Sequence, residues 1–402
     1  MFADRYIQTN IVYPELIKSE VPASLEMIVM IPCLNEPEVI RTLESLWSCN
    51  PVASSCEVIV AVNNSAQSSP EIKDFNGKTF QELLDWKSRN DRPDLTLQPI
   101  YAADVSAKHA GAGMARKIGM DEAIRRFAAL NHPNGIIVSL DADCLVSANY
   151  LSEIERAFKD KSCFAATINF RHRFEEIEDV RQQNGIRLYE DYLHYYKNAL
   201  DYAGFPNSIY TIGSAFAVRV DAYVKQGGMN RRQAGEDFYF LHKLTQLGRL
   251  TEIQDAYVFP SGRVSDRVPF GTGAAMTKWM NDAGDLTLTY NFAAFSDLKQ
   301  FFARVDSFYT LSPEKIETVT SDLPTSIQEY LSGISFQAKL DEINRNSSTA
   351  ETFYKRFFQF FDGLMILRFL NQVHERNYKF QKLAEAIAQL KVAGESRNFA
   401  EQ

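Results

Sequence analysis

The chain has 402 residues, enough for one large domain and a smaller one, and 45% of them are hydrophobic, an ordinary share for a globular protein. A formal net charge of −8 excludes the basic face that a nucleic-acid binder needs. Five cysteines (Cys33, Cys49, Cys56, Cys144 and Cys163) show no metal-ligand spacing, and their odd number predicts free thiols in a reducing compartment.

Residues 1–20 mix charges with Pro14 and have no apolar core of the secretory kind, and the late apolar stretch from Phe357 to Leu370 is broken by Gln359, Asp362 and Arg368. The expectation is a soluble, cytoplasmic protein with no transmembrane segment and no nucleic-acid partner. Met27 to Pro32 reads as a first buried strand and Cys33-Leu34-Asn35-Glu36-Pro37 as a loop. Val39, Ile40, Leu43, Leu46 and Trp47 then repeat at helical spacing, with Pro37 in the first turn. A second strand, Glu57 to Val62, ends in Asn63-Asn64-Ser65. Strand, helix, strand is how a doubly wound α/β sheet begins. Residues 64–94 are polar and predict one short helix around Phe80, Leu83, Leu84 and Trp86. A third strand from Leu95 to Tyr101 leads into the Gly/Ala-rich stretch Ala110-Gly111-Ala112-Gly113, which opens a helix. With Lys108 and Arg116 nearby this helix start suits a phosphate or a ribose, or else the glycines merely let helix and sheet pack; the dinucleotide pattern Gly-x-Gly-x-x-Gly is missing.

The run Ile136-Ile137-Val138-Ser139-Leu140 stops at Asp141-Ala142-Asp143. It reads as a buried central strand, and its C-terminal end is where an open α/β sheet keeps its ligand crevice. Burying an unpaired carboxylate is costly, and a hard divalent cation, Mg²⁺ or Mn²⁺, is the natural compensation. The plainer alternative is that Asp143 caps a helix or ends a turn. Ser147 is the expected cap of the next helix, Cys163 to Asn169 a strand, and Glu178 to Tyr202 a long helix whose tyrosine stripe reads as core. Ser208 to Arg219 reads as a strand pair or bend, in which Gly213-Ser214 lets a ligand approach the backbone. Gly235-Glu236-Asp237 starts a helix whose dipole favours both carboxylates; holding Asp237 ionised suits a general base, although simple charge complementarity explains the pair as well. After a strand from Thr251 to Phe259, Arg263 and Arg267 stand in a glycine-flanked segment that reads either as a loop closing on phosphates or as plain surface. From about residue 286 only helical patterns remain, so the expected domains are 1–285 and 286–402. The phenylalanine-rich helix of the second is read as core, with a dimer contact or a peripheral membrane contact as alternatives.

Taken in order, these stretches resemble the family 2 glycosyltransferases with the GT-A fold, over roughly residues 25–262. Ile31-Pro32-Cys33-Leu34-Asn35-Glu36, the Gly111–Arg116 segment, Asp141-Ala142-Asp143, Ile212-Gly213-Ser214-Ala215, Gly227-Gly228 and Gly235-Glu236-Asp237 carry the likeness. It implies a Rossmann-like, mostly parallel central sheet with flanking helices, here with an α-helical C-terminal region. It implies a nucleotide-diphosphate sugar as donor, UDP-sugar favoured, and transfer to a carbohydrate or small hydroxyl acceptor bound near Gly213 and Ser214. Pro32, Asn35, Glu36 and Asn63 would line the nucleotide site; Asp141 and Asp143 would hold the donor through Mn²⁺ or Mg²⁺; Asp237, with Glu236, would be the base of an inverting displacement. Asn63 stands where the family usually has an aspartate. The Gln-x-x-Arg-Trp sequence and membrane helices of processive synthases are missing, so a soluble enzyme adding one or a few sugars is expected. No histidine lies between His242 and His374, which leaves Asp266 as a substitute third metal ligand. A retaining transferase making a small glycoside is not excluded. A nucleotidyltransferase is disfavoured by the acidic loop at Cys33–Glu36, and a non-catalytic sugar-nucleotide-binding protein by the intact carboxylates.

Overall fold

A computed structural model describes residues 2–230, 235–265 and 271–398. Two compact units compose it, one of residues 1–183 and 211–277 and the other of residues 184–210 and 278–402. Where the sequence suggests a single cut near residue 285, the units are thus drawn from interleaved stretches.

The first unit is α/β. Its strands are β1 (Leu25–Cys33), β2 (Ser55–Ser65), β3 (Leu95–Val105), β4 (Ile136–Ser139), β5 (Leu145–Val146), β6 (Ala165–Phe170), β7 (Phe216–Arg219) and β8 (Thr251–Phe259). They form one sheet in the order β3-β2-β1-β4-β7-β6-β8-β5. Neighbours are parallel from β3 through β4, and β6 is parallel to β8, whereas β7 runs antiparallel to both β4 and β6 and β5 antiparallel to β8. Strands β1, β2 and β4 are buried along nearly their whole length, as strands covered by helices on both faces must be. Because β1 aligns Met30 with Ser139 of β4 and Cys33 with Val62 of β2, the loops after these three strands emerge at one edge of the sheet.

Several elements differ from their sequence-based expectation. The polar stretch after β2 is a 21-residue helix, Pro70–Asn90, started by Ser69, whose hydroxyl accepts from the Ile72 N–H, and by Pro70 in its first turn. Its buried residues are only Asn76, Thr79, Leu83 and Trp86, so half of its inner face is polar and the apolar period is weak. The helix Val39–Trp47 has Glu38 as its N-cap, which leaves Pro37 just outside it. Asn149, not Ser147, caps the helix Tyr150–Phe158; the Ser147 hydroxyl instead accepts from the Tyr257 N–H.

The second unit is helical and has its own core. Phe301, Phe308, Phe353, Phe357, Phe361 and Phe369 are all fully buried in it. The apolar stretch around Phe357 to Leu370 is two helices, Ala350–Phe360 and Gly363–Arg376, because the Asp362 carboxylate accepts from the Leu364 and Met365 N–H groups and starts the second. Phenylalanine enrichment here serves core packing. No helix among the described residues is long and apolar enough to cross a membrane. All five cysteines are free and buried.

Candidate active site

The Asp141–Asp143 turn forms where β4 runs out of partners. The Leu140 N–H still donates to the Met30 carbonyl, the Cys144 N–H closes back on the Asp141 carbonyl at 3.1 Å, and the Thr42 hydroxyl holds the Ala142 carbonyl at 2.9 Å. Ala142 is therefore buried while the two carboxylates on either side project into different surroundings.

Asp141 accepts from Nη2 of Arg116 at 2.5 Å, and Nη1 of the same guanidinium donates to Glu236. Arg116 is 3% exposed, so it acts as an internal cation tying the β4 edge to the helix Glu236–Leu244. Burial works against its charge, but Asp141, Glu236 and Asp237 outweigh burial and hold it protonated. Asp237 lies beside this group. Burial pushes its carboxyl above the ordinary aspartate range, against the pull of Arg116 and of the Phe238 N–H, which donates to Oδ1 at 2.7 Å. The helix dipole expected to hold Asp237 ionised is thus outweighed by desolvation. Glu236 is raised for the same first reason.

Gly213 permits this arrangement. A Cβ there would sit 2.8 Å from Oδ2 of Asp237 and 3.0 Å from Nη2 of Arg116. The Gly213 carbonyl in turn accepts from the buried Ser139 hydroxyl at 2.7 Å, which fixes the segment to β4. Ser214 is buried. Substitution Gly213→Ala is expected to displace Asp237 and to lower turnover more than it lowers nucleotide affinity, read by comparing kcat with nucleotide titrations. Equal kcat in the variant would remove the close approach from the argument.

Asp143 faces a second guanidinium. Nη2 of Arg263, in the loop after β8, lies 3.1 Å from Asp143 Oδ2, and the same side chain makes a bidentate pair with the buried Glu36. Arg173, in the loop after β6, donates from Nη2 to the Asp143 carbonyl at 3.0 Å and to Glu38 at 3.3 Å. Two loops that follow different strands are thereby fastened to the same turn. Arg267 and Asp266 lie outside the described residues.

On the other side of β1, Asn35 has a left-handed backbone with φ of 50°. Its N–H donates to Oδ1 of Asn76 at 2.9 Å, and Nδ2 of Asn76 donates to the Asn63 carbonyl at 2.9 Å, so one buried amide joins the loops after β1 and β2. Asn63 gives its own Nδ2 to the Gly111 carbonyl at 3.3 Å, which leaves its buried Oδ1 as an acceptor without a partner in the fold. Pro32 is buried within β1, and Lys108 is exposed in the turn between β3 and the helix Ala112–Ala129. Asn76 and Arg173 are the two residues that sequence reasoning missed. Asn76 had a signal, an amide at the position of a helix that faces the sheet; Arg173 had none, since the partners that bring it to the site, Asp143 and Glu38, are 30 and 135 residues away.

Asp141 and Asp143 fit a divalent cation by the chemistry of their donor atoms. Both are hard oxygens, 37% and 26% exposed, and Mg²⁺-type sites commonly use one or two carboxylates completed by substrate phosphates and water. No group of three or more potential ligands that could by itself hold a metal occurs among the described residues.

No protein-family model and no curated protein matches the chain. Solved structures similar to it include Staphylococcus aureus TarS residues 1–349 in complex with UDP-GlcNAc, at 12% identity and a TM-score of 0.44, covering 82% of this chain and 90% of that one. Another is the mannosyltransferase PcManGT from Pyrobaculum calidifontis in complex with GDP-Man and Mn²⁺, at 13% identity and a TM-score of 0.39, covering 94% and 93%.

Proposed function

We propose that the chain is a family 2-like glycosyltransferase of the GT-A type, transferring a sugar from a nucleotide-diphosphate donor, UDP-sugar favoured, to an acceptor hydroxyl with inversion. The observation that carries this reading is the Asp141–Asp143 turn. One carboxylate joins the Arg116–Glu236–Asp237 cluster and the other joins Glu36 and Arg263. A single strand end therefore serves both a pair of carboxylates suited to base catalysis and a pair of charges suited to a diphosphate.

In this reading the Asn63 Oδ1 accepts from a nucleobase imide N–H, the role that an aspartate has in the resembled family. Arg263 trades carboxylate partners for phosphate oxygens, which its planar fork suits equally well. Asp141 and Asp143 would hold Mn²⁺ or Mg²⁺, which neutralises the diphosphate leaving group as a Lewis acid. Asp237 takes the proton of the acceptor hydroxyl, and burial makes it a stronger base than an exposed aspartate. Arg116 balances the charge beside it.

Calorimetric titration of UDP and GDP, with and without Mn²⁺, on wild type and Asp143→Ala tests this. One nucleotide is expected to bind only with metal, and to bind at least about tenfold more weakly in the variant, a change that even an outer-shell partner of a metal can cause. If neither nucleotide binds, or binding ignores both the metal and the substitution, the reading is wrong and a non-catalytic protein on this fold replaces it.

A further inference from the structure

Arg263 answers two carboxylates with a single nitrogen. Its Nη1 donates to Glu36 Oε1 at 2.8 Å and its Nη2 to Glu36 Oε2, and the same Nη2 lies 3.1 Å from Asp143 Oδ2. A Glu38 oxygen stands 3.6 Å from Nη1. The backbone on either side is pinned, since the Gly262 carbonyl accepts from Gln182 Nε2 at 2.8 Å and the Ser265 carbonyl from the Thr277 hydroxyl at 3.0 Å. A change of partner at Arg263 is therefore a movement of its side chain. The contacts are unequal. The Glu36 pair is bidentate on a carboxylate that is 4% exposed, whereas the Asp143 contact is single and on a side chain that is 26% exposed. Asp143 is the partner given up first.

We propose that Arg263 withholds Asp143 from a divalent cation until a diphosphate arrives, so that cation and nucleotide strengthen each other's binding through this one side chain. The inference rests on the donor reading above and concerns how that site is loaded. Asp143 Oδ2 is one of the hard oxygens offered to the cation, and a guanidinium, which does not give up its proton, sets a fixed positive charge against it. A metal ion coming alone meets that charge at the oxygen it needs. A diphosphate changes the balance, because its oxygens accept from the Arg263 fork as a carboxylate does and leave Oδ2 to the metal. Arg116 at Asp141 differs. It is 3% exposed and bound also to Glu236, so it stays in place, while Arg263 is 25% exposed and has room to turn.

If Arg263 only tied the loop after β8 to the Asp141–Asp143 turn, its loss would weaken metal binding; the proposal expects the opposite sign. Free Mn²⁺ would be followed by its electron paramagnetic resonance signal as the full chain is titrated in, with and without UDP or GDP. The variants are Arg263→Gln and the double change Arg263→Gln with Glu36→Gln, which leaves neither half of the buried pair alone should the single variant not fold. In wild type, Mn²⁺ alone is expected to bind weakly, and the nucleotide to tighten it at least about fivefold, the low end of coupling between linked sites. In both variants, Mn²⁺ alone is expected to bind about tenfold more tightly than in wild type, the size of effect that a ligand's own hydrogen-bond partners have on metal affinity. The gain from nucleotide shrinks in the variants, and by reciprocity the gain in nucleotide affinity from Mn²⁺ shrinks by the same factor. Mn²⁺ alone binding the folded variants no more tightly than wild type, or an undiminished gain from nucleotide, overturns the inference. If neither nucleotide binds wild type at any Mn²⁺ concentration, the donor reading fails instead, and the titrations with Mn²⁺ alone still decide whether Arg263 competes for Asp143.

Discussion

Asp237→Asn is expected to keep nucleotide affinity and to lose about 10²- to 10⁴-fold of transfer rate, the contribution of a positioned general base. The substitution preserves shape, and an amide oxygen still accepts from the Phe238 N–H as Oδ1 does now. What it removes is the ability to take a proton next to Gly213, where no side chain intervenes. Nucleotide release from a panel of donor sugars would be followed beside a nucleotide titration of the same sample. Joint loss of binding and transfer would move Asp237 into the donor site or the fold. The pH profile gives a second reading of the same group. A base acts in its ionised form, so activity falls as pH drops through its pKa. Because burial raises that pKa, the acidic limb of kcat/KM is expected above the usual aspartate range. A limb in the ordinary carboxylate range would assign it to a different, solvated group.

Arg126→Ala is expected to destabilise the α/β unit by about 3–5 kcal/mol, the cost of leaving a buried charge without its partner. Glu57 on β2 is fully buried, and Arg126 gives it a bidentate pair from the helix Ala112–Ala129 while donating also to the Ser19 and Glu20 carbonyls. Removing the guanidinium leaves a carboxylate inside the sheet whose remaining side-chain donor, among the described residues, is Gln98 Nε2 at 3.3 Å. Urea unfolding followed by circular dichroism reads the change as a shift in midpoint. Replacing both partners by apolar residues of similar size should recover much of the loss, since an absent pair costs far less than a broken one. A shift of under about 1 kcal/mol for the single variant would put this pair among the exposed ones in its effect.

The parallel half of the sheet was legible in the sequence because β1, β2 and β4 are buried on both faces and so read as unbroken apolar runs that stop at polar loops. The direction of β7, which lies within the stretch Ser208 to Arg219 that reads as a strand pair or bend, was not. The strand has four residues, and its direction is set by the strands it inserts between, which its own side chains do not record. The same division holds for the site. Asp141, Asp143, Glu236 and Asp237 stood out as carboxylates at the ends of apolar or glycine-marked segments. Arg116 and Arg263 stood out too, as residues suited to phosphate, but their pairing with these carboxylates did not, because Arg263 pairs with Glu36 across 227 residues and Arg116 with Glu236 across 120. Local pattern registers that a charge is out of place; only tertiary structure says what answers it.

The helix Ala112–Ala129 buries Arg116, Lys117, Asp121, Glu122 and Arg126, and the chain's first twenty residues supply much of what those charges need. The Tyr6 hydroxyl donates to Asp121, the Leu16 and Ile17 N–H groups to Glu122, and Arg126 donates to the carbonyls of Ser19 and Glu20. Segment and helix are fastened in the same order along both, so opening either one strips hydrogen bonds from buried charges of the other. In hydrogen exchange the Leu16 and Ile17 amides, though they belong to no strand or helix, should therefore exchange at the pace of the helix that carries Arg116. Cleavage within these first residues would reach that arginine without touching it.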